Sequence, residues 1–358
     1  MRIILSLQLI SFLIAQAPPG YYDGTEGLEG QSLRLALHNI IDNHQSQSYN
    51  SLWTHFQSTD RKPNYKVWDM YSDIPGGTPP YEYTFVSDQC GNYNSENDCY
   101  NREHSWPKSW FNDWSPMNTD LFHLYPTDGY VNGRRSNYPY GEVNSPTWTS
   151  MNGSKVGSNT TSGYSGTVFE PIDGYKGDLA RTYFYMSTRY YTEDSGWDNN
   201  DMVDGADLKT WAKTMLMNWH HNDPVSDKEI DRNNAVYAIQ QNRNPFIDHP
   251  EWADCIWDDN CDLSVENEAA PARFILLQNY PNPFNPVTTI QFSIETQLIA
   301  SLRIYDISGR LIETLIENKL VSGDYSIPWN AEGYPCGIYF VQSVSGQEIQ
   351  TKKLIFLK

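Results

Sequence analysis

The sequence predicts a mixed α+β region followed by a small all-β region. Within residues 18–263, apolar residues recur at helical spacing between polar loops. Over residues 273–358, short apolar runs alternate with Asn-Pro and Ser-Gly turns, which is the pattern of a small β-sandwich. Residues 264–272 between them are acidic and have the composition of a solvated linker. A chain of 358 residues accommodates two such domains.

The N-terminus has the parts of a secretory signal peptide. A basic Met1-Arg2 start precedes an apolar run over residues 3–15, and small residues follow at Ala15-Gln16-Ala17. The run is too short to cross a bilayer comfortably, and no later stretch is apolar enough for a transmembrane helix. We therefore expect residues 1–17 to be a signal peptide. A buried N-terminal helix or strand is the alternative.

The five cysteines fit an exported protein. Cys90 lies close to Cys99 in sequence, and Cys255 lies close to Cys261. Such spacing favours two local disulfides in an oxidising compartment, with Cys336 left over. A zinc site is the alternative, and it is disfavoured because neither pair has C-x-x-C spacing.

Three helices and one long loop are predicted in the first region. Residues 31–41 place their apolar side chains on one face. Residues 207–221 do the same with Trp, Met and Leu, a stripe that we interpret as core packing, and Asp207 is the expected N-cap. Residues 231–241 are the third predicted helix. Residues 144–166 are rich in Ser, Gly, Asn and Thr and are predicted to form loop and turns.

The charge is unevenly distributed. The net charge of −19 would repel a nucleic acid from the protein as a whole. Residues 191–270 hold eighteen acids against five Lys or Arg, whereas residues 100–140 hold four of each sign. A locally neutral or basic cleft on an acidic body therefore remains compatible with an anionic ligand.

The balanced segment also carries the residues with the clearest chemistry. Glu103 and His104 are adjacent, and Asn132, Arg134 and Arg135 follow about thirty positions later. Hydrolysis of a phosphodiester needs a base that activates water, and a neutral imidazole titrates in the right range to be that base. A divalent cation can hold the phosphate, and guanidinium groups suit phosphate oxygens. His104 is therefore the candidate general base and Glu103 a candidate metal ligand.

The Glu103-His104 pair alone is weak evidence, because such pairs are common. An exposed acid beside a core histidine is the alternative. Consecutive residues of a regular strand point to opposite faces, so the two side chains can converge on one phosphate only if the backbone is irregular there. Pro107 shortly afterwards is consistent with an irregular backbone.

The surrounding residues resemble the endonuclease I family, a secreted or periplasmic branch of the ββα-metal (His-Me finger) nucleases. The resemblance rests on residues 102–107 (Arg-Glu-His-Ser-Trp-Pro), 120–126 (Asp-Leu-Phe-His-Leu-Tyr-Pro) and 132–137 (Asn-Gly-Arg-Arg-Ser-Asn). It extends through residues 177–186, which look like a core helix of the family. Phe122 departs from the family pattern, which often has His there.

This resemblance implies a ββα-metal finger and a division of roles within it. Glu103 and Asn132 would hold one divalent cation, Mg²⁺ or alternatively Mn²⁺ or Ca²⁺, and His104 would be the general base. Arg135 stands at the family's Arg position and would contact the phosphate, with a surface salt bridge as the alternative.

Other polar residues of the first region receive secondary roles. Arg102, Lys108 and Arg134 are expected to contact the nucleic acid. His220 and His249, like His221, are interpreted as structural, because no H-E-x-x-H pattern accompanies them.

The last region resembles the C-terminal sorting domain of the type IX secretion system. The resemblance covers residues 274–358 and rests on residues 279–285 (Asn-Tyr-Pro-Asn-Pro-Phe-Asn) and 305–310 (Tyr-Asp-Ile-Ser-Gly-Arg). It implies an immunoglobulin-like fold, the type IX machinery as a partner, and a secreted or cell-surface location in a bacterium. An adhesion or binding module of similar fold is the alternative.

Two classes of function follow. The first is a secreted, nonspecific, metal-dependent endonuclease that hydrolyses DNA, with RNA as an open second substrate. The second is a noncatalytic surface-displayed binding protein, since 12 Trp and 25 Tyr could also line a sugar or protein site. The combination of Glu103, His104 and Asn132 favours the enzyme, because a binding protein has no need of it.

Overall fold

The computed structural model describes most of the chain. The predicted signal peptide and the predicted linker lie outside the described residues, apart from Ala17. Contacts within the chain divide it into two compact units, residues 1–263 and 264–358, and each is described by itself. The described residues are 17–258, 261, 274–294, 298–320, 323–345 and 348–357.

The first unit is built around one buried helix. Every residue of the helix Lys176–Arg189 is buried, and the helices Gly30–Ile41 and Thr210–Asn222 pack against it. A helix with no exposed face forms the centre of a core. The helices of this unit are α1 (Gly30–Ile41), α2 (Leu52–Thr59), α3 (Gly129–Arg135), α4 (Lys176–Arg189), α5 (Thr210–Asn222), α6 (Asp227–Gln240), α7 (Pro245–Asp248) and α8 (Trp252–Trp257).

The predicted helices are found with altered starts. The prediction for residues 31–41 is confirmed by α1. α6 begins four residues before the predicted start, because Ser226 and Glu229 form a reciprocal capping box there. The prediction that Asp207 caps a helix over residues 207–221 was wrong, since α5 begins at Thr210. Asp207 instead forms an ion pair with Arg34 at 2.6 Å.

The prediction of a loop over residues 144–166 was also wrong, because these residues contain most of one strand and all of another. β3 pairs with β4 and β4 with β5, all antiparallel. Most side chains of β3 are exposed, so the apolar alternation that reveals a strand is missing from its sequence. The strands of the first unit are β1 (Tyr100–His104), β2 (Leu124–Asp128), β3 (Val143–Thr149), β4 (Lys155–Asn159), β5 (Thr167–Glu170), β6 (Val203–Asp204) and β7 (Asp207–Leu208).

The element that positions the candidate site consists of β1, β2 and α3. β1 pairs antiparallel with β2, with Glu103 opposite Tyr125 and His104 opposite Leu124. α3 begins directly after β2, because the Asp128 carboxylate accepts a hydrogen bond from the Val131 amide at 2.8 Å and caps the helix. The helix therefore starts next to the strand pair and returns across it.

The second unit is all-β, as predicted. Its strands are β8 (Phe274–Leu276), β9 (Val287–Ile294), β10 (Leu298–Asp306), β11 (Leu311–Leu320), β12 (Gly323–Asn330), β13 (Gly337–Ser345) and β14 (Glu348–Phe356). They form one sheet in the order β11-β10-β13-β14 and another in the order β12-β9-β8. Both sheets contribute to one apolar core, for example through Trp329 from β12 and Val341 from β13.

Two further expectations concern covalent links and membranes. The disulfides Cys90–Cys99 and Cys255–Cys261 are formed, and Cys336 is a free, exposed thiol. None of the helices in the described part of the chain combines the length and the apolarity that a membrane crossing requires.

Candidate active site

A cleft of about 410 Å³ opens where β1 ends and α3 crosses it. Six of the residues that line it decide its chemistry: Tyr49, Arg102, Glu103, His104, Lys108 and Asn132. The expected irregular backbone is absent, since β1 pairs with β2 in unbroken register through its last residue. The cleft instead lies at the end of β1, where side chains from both faces of the strand can line it.

Glu103 is a buried carboxylate that lacks a full set of partners. It is only 3% exposed. Its Oε1 accepts a hydrogen bond from the Tyr71 hydroxyl at 2.9 Å and lies 3.4 Å from Arg135 Nη1. Its Oε2 accepts no hydrogen bond from any described residue. Burial raises the pKa of Glu103 to about 7, although Arg135 and Tyr71 act to lower it.

A cation beside Glu103 would restore its charged form. Arg135 alone does not hold the pKa of this carboxyl at its ordinary value, so the group has capacity for further positive charge. A buried carboxylate with one free oxygen has the chemistry of a ligand for a hard divalent ion. Glu103 therefore fits the metal-ligand role expected for it.

His104 is held as a neutral ring with a fixed proton. Its Nε2 lies 3.1 Å from both the backbone oxygen and the side-chain oxygen of Asn118. A backbone carbonyl can only accept, so Nε2 carries the hydrogen and Nδ1 keeps its lone pair. Nδ1 makes no hydrogen bond within the described ranges. Burial, with a smaller contribution from the neighbouring His123, lowers the pKa of His104 to about 3.

Asn132 brings a second oxygen to the cleft from α3. Its amide Nδ2 donates to the Arg102 carbonyl of β1 at 3.4 Å. Its Oδ1 has no hydrogen-bond donor in the part of the chain that the structure describes. The bond to Arg102 fixes the orientation of the amide, so the free oxygen is on the side away from that carbonyl. Asn132 can therefore supply a neutral oxygen ligand.

Arg135 lines the cleft as a buried guanidinium group. It is only 1% exposed. Its Nη1 donates to the His104 carbonyl at 3.0 Å, its Nη2 donates to the Ser105 carbonyl, and its guanidinium lies 4.7 Å from the Tyr140 ring centroid. These contacts bind Arg135 to the end of β1. Both Nη atoms of Arg135 thus bind backbone carbonyls, whereas its buried Nε has no hydrogen-bond partner among the described residues and the residue lines the cleft, so the expected phosphate contact stays a prediction.

Arg102 is the cleft cation without an acidic partner. Its guanidinium lies 3.8 Å from the Tyr49 ring centroid and 4.4 Å from that of Trp53, and Nη1 donates to the Tyr49 carbonyl at 2.8 Å. No carboxylate of a described residue pairs with it, and its buried Nε has no hydrogen-bond acceptor there. A half-buried, unneutralised guanidinium in a cleft suits an anionic ligand.

The other two expected substrate contacts are more peripheral. Lys108 lines the cleft, is exposed and pairs with Asp113 at 3.1 Å. Arg134 is exposed and lies 5.2 Å from the Trp148 ring centroid, and it is not among the residues that line the cleft. Arg134 can thus meet only a ligand that extends beyond the cleft.

Sequence reasoning missed the partners that orient the site. Tyr71 holds Glu103, Asn118 holds His104, and Tyr49 stacks almost parallel to the His104 ring at 6.2 Å between centroids. Tyr71 is one of 25 tyrosines, and it lies 32 positions before Glu103. No spacing in the sequence marks these residues, because only the fold brings them to the motif.

A second group of metal-ligand types lies elsewhere in the first unit. Ligand atoms of His38, Asp42 and Glu193 come within 4.8 Å of one another. Arg189 pairs with Asp42 at 2.9 Å and with Glu193 at 3.0 Å, so its single positive charge offsets one of the two carboxylates. The group is best described as an ion-pair cluster.

The three histidines expected to be structural have protein partners. His220 Nε2 lies 3.1 Å from the Pro250 carbonyl, His221 pairs with Asp254 at 2.8 Å, and His249 pairs with Glu251 at 3.0 Å.

Comparison with known proteins finds a matching family for each of the two units. The family model described as Endonuclease I matches residues 29–251, and the one described as Secretion system C-terminal sorting domain matches residues 278–357. The "Extracellular ribonuclease" of Bacillus subtilis is 36% identical over 251 residues, which cover 66% of this chain and 78% of that protein. The "Endonuclease-1" of Buchnera aphidicola is 29% identical, covering 37% and 48%. The "Periplasmic deoxyribonuclease" of Aeromonas hydrophila is 25% identical, covering 38% and 50%.

Proposed function

The chain belongs to the endonuclease I family, and from this premise we propose that it is a nonspecific, metal-dependent endonuclease that hydrolyses the phosphodiester bonds of DNA and RNA. The type IX sorting domain and the extracellular relatives make it a secreted or cell-surface protein. The sorting domain also implies the type IX machinery as its partner in export.

One observation carries the proposal. Glu103, His104 and Asn132 line a single cleft, and each keeps one acceptor atom without a donor among the described residues. Two of these acceptors are oxygens, which suit Mg²⁺, Mn²⁺ or Ca²⁺, and Mg²⁺ keeps most of its ligands as water. The third is an imidazole nitrogen, which suits a proton acceptor. A site of this composition supports hydrolysis better than it supports binding of a neutral ligand.

In the proposed reaction, His104 Nδ1 takes the proton of the attacking water. Asn118 fixes the hydrogen on Nε2, so the basic nitrogen is always Nδ1. Glu103 and Asn132 would hold one divalent cation, which when bound supplies charge stabilisation at the scissile phosphate and at the leaving oxygen. Arg102 donates to the phosphate, and Lys108 and Arg134 contact more distant parts of the strand.

Arg135 receives a second role in this proposal, besides the expected phosphate contact. Its two bonds to the carbonyls of His104 and Ser105 fix the end of β1, and its approach to Glu103 limits how that carboxylate can turn. It acts as a positioning residue for the base and the metal ligand.

We also propose the domain roles. β1, β2 and α3 follow one another as strand, strand and helix and carry all three functional side chains, so we assign them to the ββα-metal finger. Residues 18–263 form the catalytic domain in this proposal, with residues 1–17 as signal peptide and residues 264–272 as linker. The two sheets of residues 273–358 support an immunoglobulin-like sandwich.

We include RNA as a substrate because two of the similar proteins are named as ribonucleases. Those named extracellular ribonuclease match 66% of this chain at 35–36% identity. Those named for deoxyribonuclease activity match 38% at 25% identity. Relatives of both kinds match this chain, so we expect one site to cut both nucleic acids.

Purified protein should nick supercoiled plasmid DNA and degrade single-stranded RNA in Mg²⁺. Exhaustive EDTA should abolish both activities, and added Mg²⁺ or Mn²⁺ should restore both together, because the same two oxygens hold the ion in each reaction. Gel assays of both substrates on one preparation measure this. Full cleavage after EDTA treatment contradicts the metal role, and cleavage of neither substrate at any metal concentration favours the binding protein.

The Mg²⁺ concentration needed for half-maximal cleavage should rise as the pH falls. The pKa of Glu103 is about 7 without a cation, so below pH 7 a proton occupies the carboxyl and must leave before the ion binds. Half-saturating Mg²⁺ should rise about tenfold per pH unit well below the pKa. His104, with a pKa of about 3, stays neutral from pH 5 to pH 8.

The acid limit of activity should therefore move to lower pH as the Mg²⁺ concentration is raised. Cleavage rates measured from pH 5 to pH 8 at several fixed Mg²⁺ concentrations give this shift. An acid limit that stays near pH 6.5 at every Mg²⁺ concentration indicates titration of an ordinary imidazole and contradicts the buried, neutral His104.

A further inference from the structure

Asp69 is a buried carboxylate whose two oxygens anchor two different segments. It lies in the loop between α2 and β1 and is only 1% exposed. Its Oδ1 accepts a hydrogen bond from the Tyr71 amide at 2.8 Å, and its Oδ2 accepts one from the Asp128 amide at 2.9 Å. Each of these segments leads to one of the two proposed metal ligands.

The first segment leads to Glu103. The backbone bond to Asp69 fixes Tyr71, whose hydroxyl donates to Glu103 Oε1 at 2.9 Å. The Tyr71 and Tyr140 hydroxyls lie 3.0 Å apart, and since the Tyr71 hydrogen is committed to Glu103, Tyr140 is the donor of that pair. Tyr71 therefore binds the Glu103 carboxylate through Oε1 and leaves Oε2 free to face a cation.

The second segment leads to Asn132. Asp128 ends β2 and caps α3 through the Val131 amide, and Asn132 is the next residue of that helix. The other carboxylate oxygen of Asp128 accepts from the hydroxyls of Tyr81 and Tyr83. The position of the cap therefore sets where α3 starts and where the Asn132 side chain enters the cleft.

We propose that Asp69 is a positioning residue that sets the separation of the two metal ligands, through Tyr71 for Glu103 and through Asp128 for Asn132. This inference rests on the proposed function. The role requires two acceptors on one short side chain, because both partners are backbone amides. Asparagine has nearly the same volume, but it offers one acceptor, and its amide group would oppose the other backbone donor.

The test compares Mn²⁺ binding, without nucleic acid, by full-length wild type, Asp69→Asn and Asp178→Asn. Electron paramagnetic resonance of free Mn²⁺ gives the dissociation constant. Asp178 is a matched control, because it is also buried and its carboxylate pairs with Lys228 at 2.7 Å, away from the cleft. Loss of an outer-shell partner commonly weakens metal binding about 10–100-fold, and we expect Asp69→Asn to fall in that range.

The control separates positioning from general stability. We expect Asp178→Asn to bind Mn²⁺ within about twofold of wild type even if its melting temperature falls as far as that of Asp69→Asn, since its ion-pair partners Lys228 and Arg181 bind neither Glu103 nor Asn132 in the described part of the chain. Excess Mn²⁺ should restore much of the cleavage by Asp69→Asn, because its His104 is intact. Wild-type affinity in Asp69→Asn, or equal weakening in both variants, overturns the inference.

Tyr71→Phe provides a second test if Asp69→Asn does not fold. It removes only the hydroxyl that holds Glu103, so weakening of Mn²⁺ binding by about tenfold supports the inference and unchanged binding overturns it. If wild type itself neither binds Mn²⁺ nor cleaves, the proposed function fails. If wild type does both and the variants bind normally, only the role of Asp69 fails.

Discussion

Replacing His104 with alanine or glutamine is expected to lower the rate of cleavage by about 10²–10⁴, the contribution typical of a general base. Metal affinity should stay near that of wild type, because the ion is assigned to Glu103 and Asn132. Glutamine keeps most of the volume of the ring and retains an N–H group for Asn118. His104→Gln should therefore be more stable than His104→Ala, which leaves a cavity beside Tyr49 and Phe111.

A neighbouring histidine provides the control. His123 is fully buried with its ring centroid 5.4 Å from that of His104, and its Nε2 contacts the Met117 carbonyl rather than the cleft. His123→Gln should lower the melting temperature but reduce cleavage less than tenfold. Melting temperature, Mn²⁺ affinity and nicking rate are measured on each variant. A stable, metal-binding His104→Gln that cuts at the wild-type rate removes His104 from the mechanism.

Replacing Glu103 with glutamine should weaken metal binding and turnover together. Glutamine keeps the shape but removes the only negative charge assigned to the ion, so the loss in Mn²⁺ affinity should exceed the roughly 10–100-fold typical of an outer-shell change. Asn132→Asp is the matched variant, because it adds a charge at the other ligand position and should bind Mn²⁺ at least as tightly as wild type. Equal Mn²⁺ affinity in wild type and Glu103→Gln contradicts the assignment.

The same substitution should stabilise the metal-free protein at high pH. The pKa of Glu103 in the folded protein, about 7, lies above its ordinary value of 4.5, so ionisation of this buried group opposes folding. That unfavourable contribution is absent below pH 4.5, grows between the two values and is complete above pH 7. In EDTA at pH 8, Glu103→Gln should melt at a higher temperature than wild type, and the difference should shrink as the pH approaches 5.

The sequence singled out three candidate residues that lie together in the structure, but not the residues around them. Glu103 and His104 stand in one segment that resembles the family and Asn132 in another, and the structure brings all three to one cleft. Tyr71, Asn118 and Asp69 are joined to them only by the fold, because single Tyr, Asn and Asp residues carry no local pattern. Arg135 shows a different limit, since a motif position fixes the residue type but not which of its donors bind the backbone.

The fold was predictable where apolar periodicity is strong. α1 has one apolar face and the sandwich strands alternate, so both were found from the pattern. β3 and β4 were missed because most of their residues are polar or small, so that no apolar alternation marks them as strands. The start of α5 was misplaced because the pairing of β6 with β7 occupies Asp207, the residue expected to cap the helix.

In the proposed site, one divalent cation binds between Glu103 and Asn132, beside His104. X-ray diffraction from crystals soaked in Mn²⁺, collected where manganese scatters anomalously, locates the ion without reference to activity. The expected result is an anomalous peak within bonding distance of Glu103 Oε2 and Asn132 Oδ1, which disappears in Glu103→Gln. A peak only at His38, Asp42 and Glu193, or no peak at millimolar Mn²⁺, contradicts the claim.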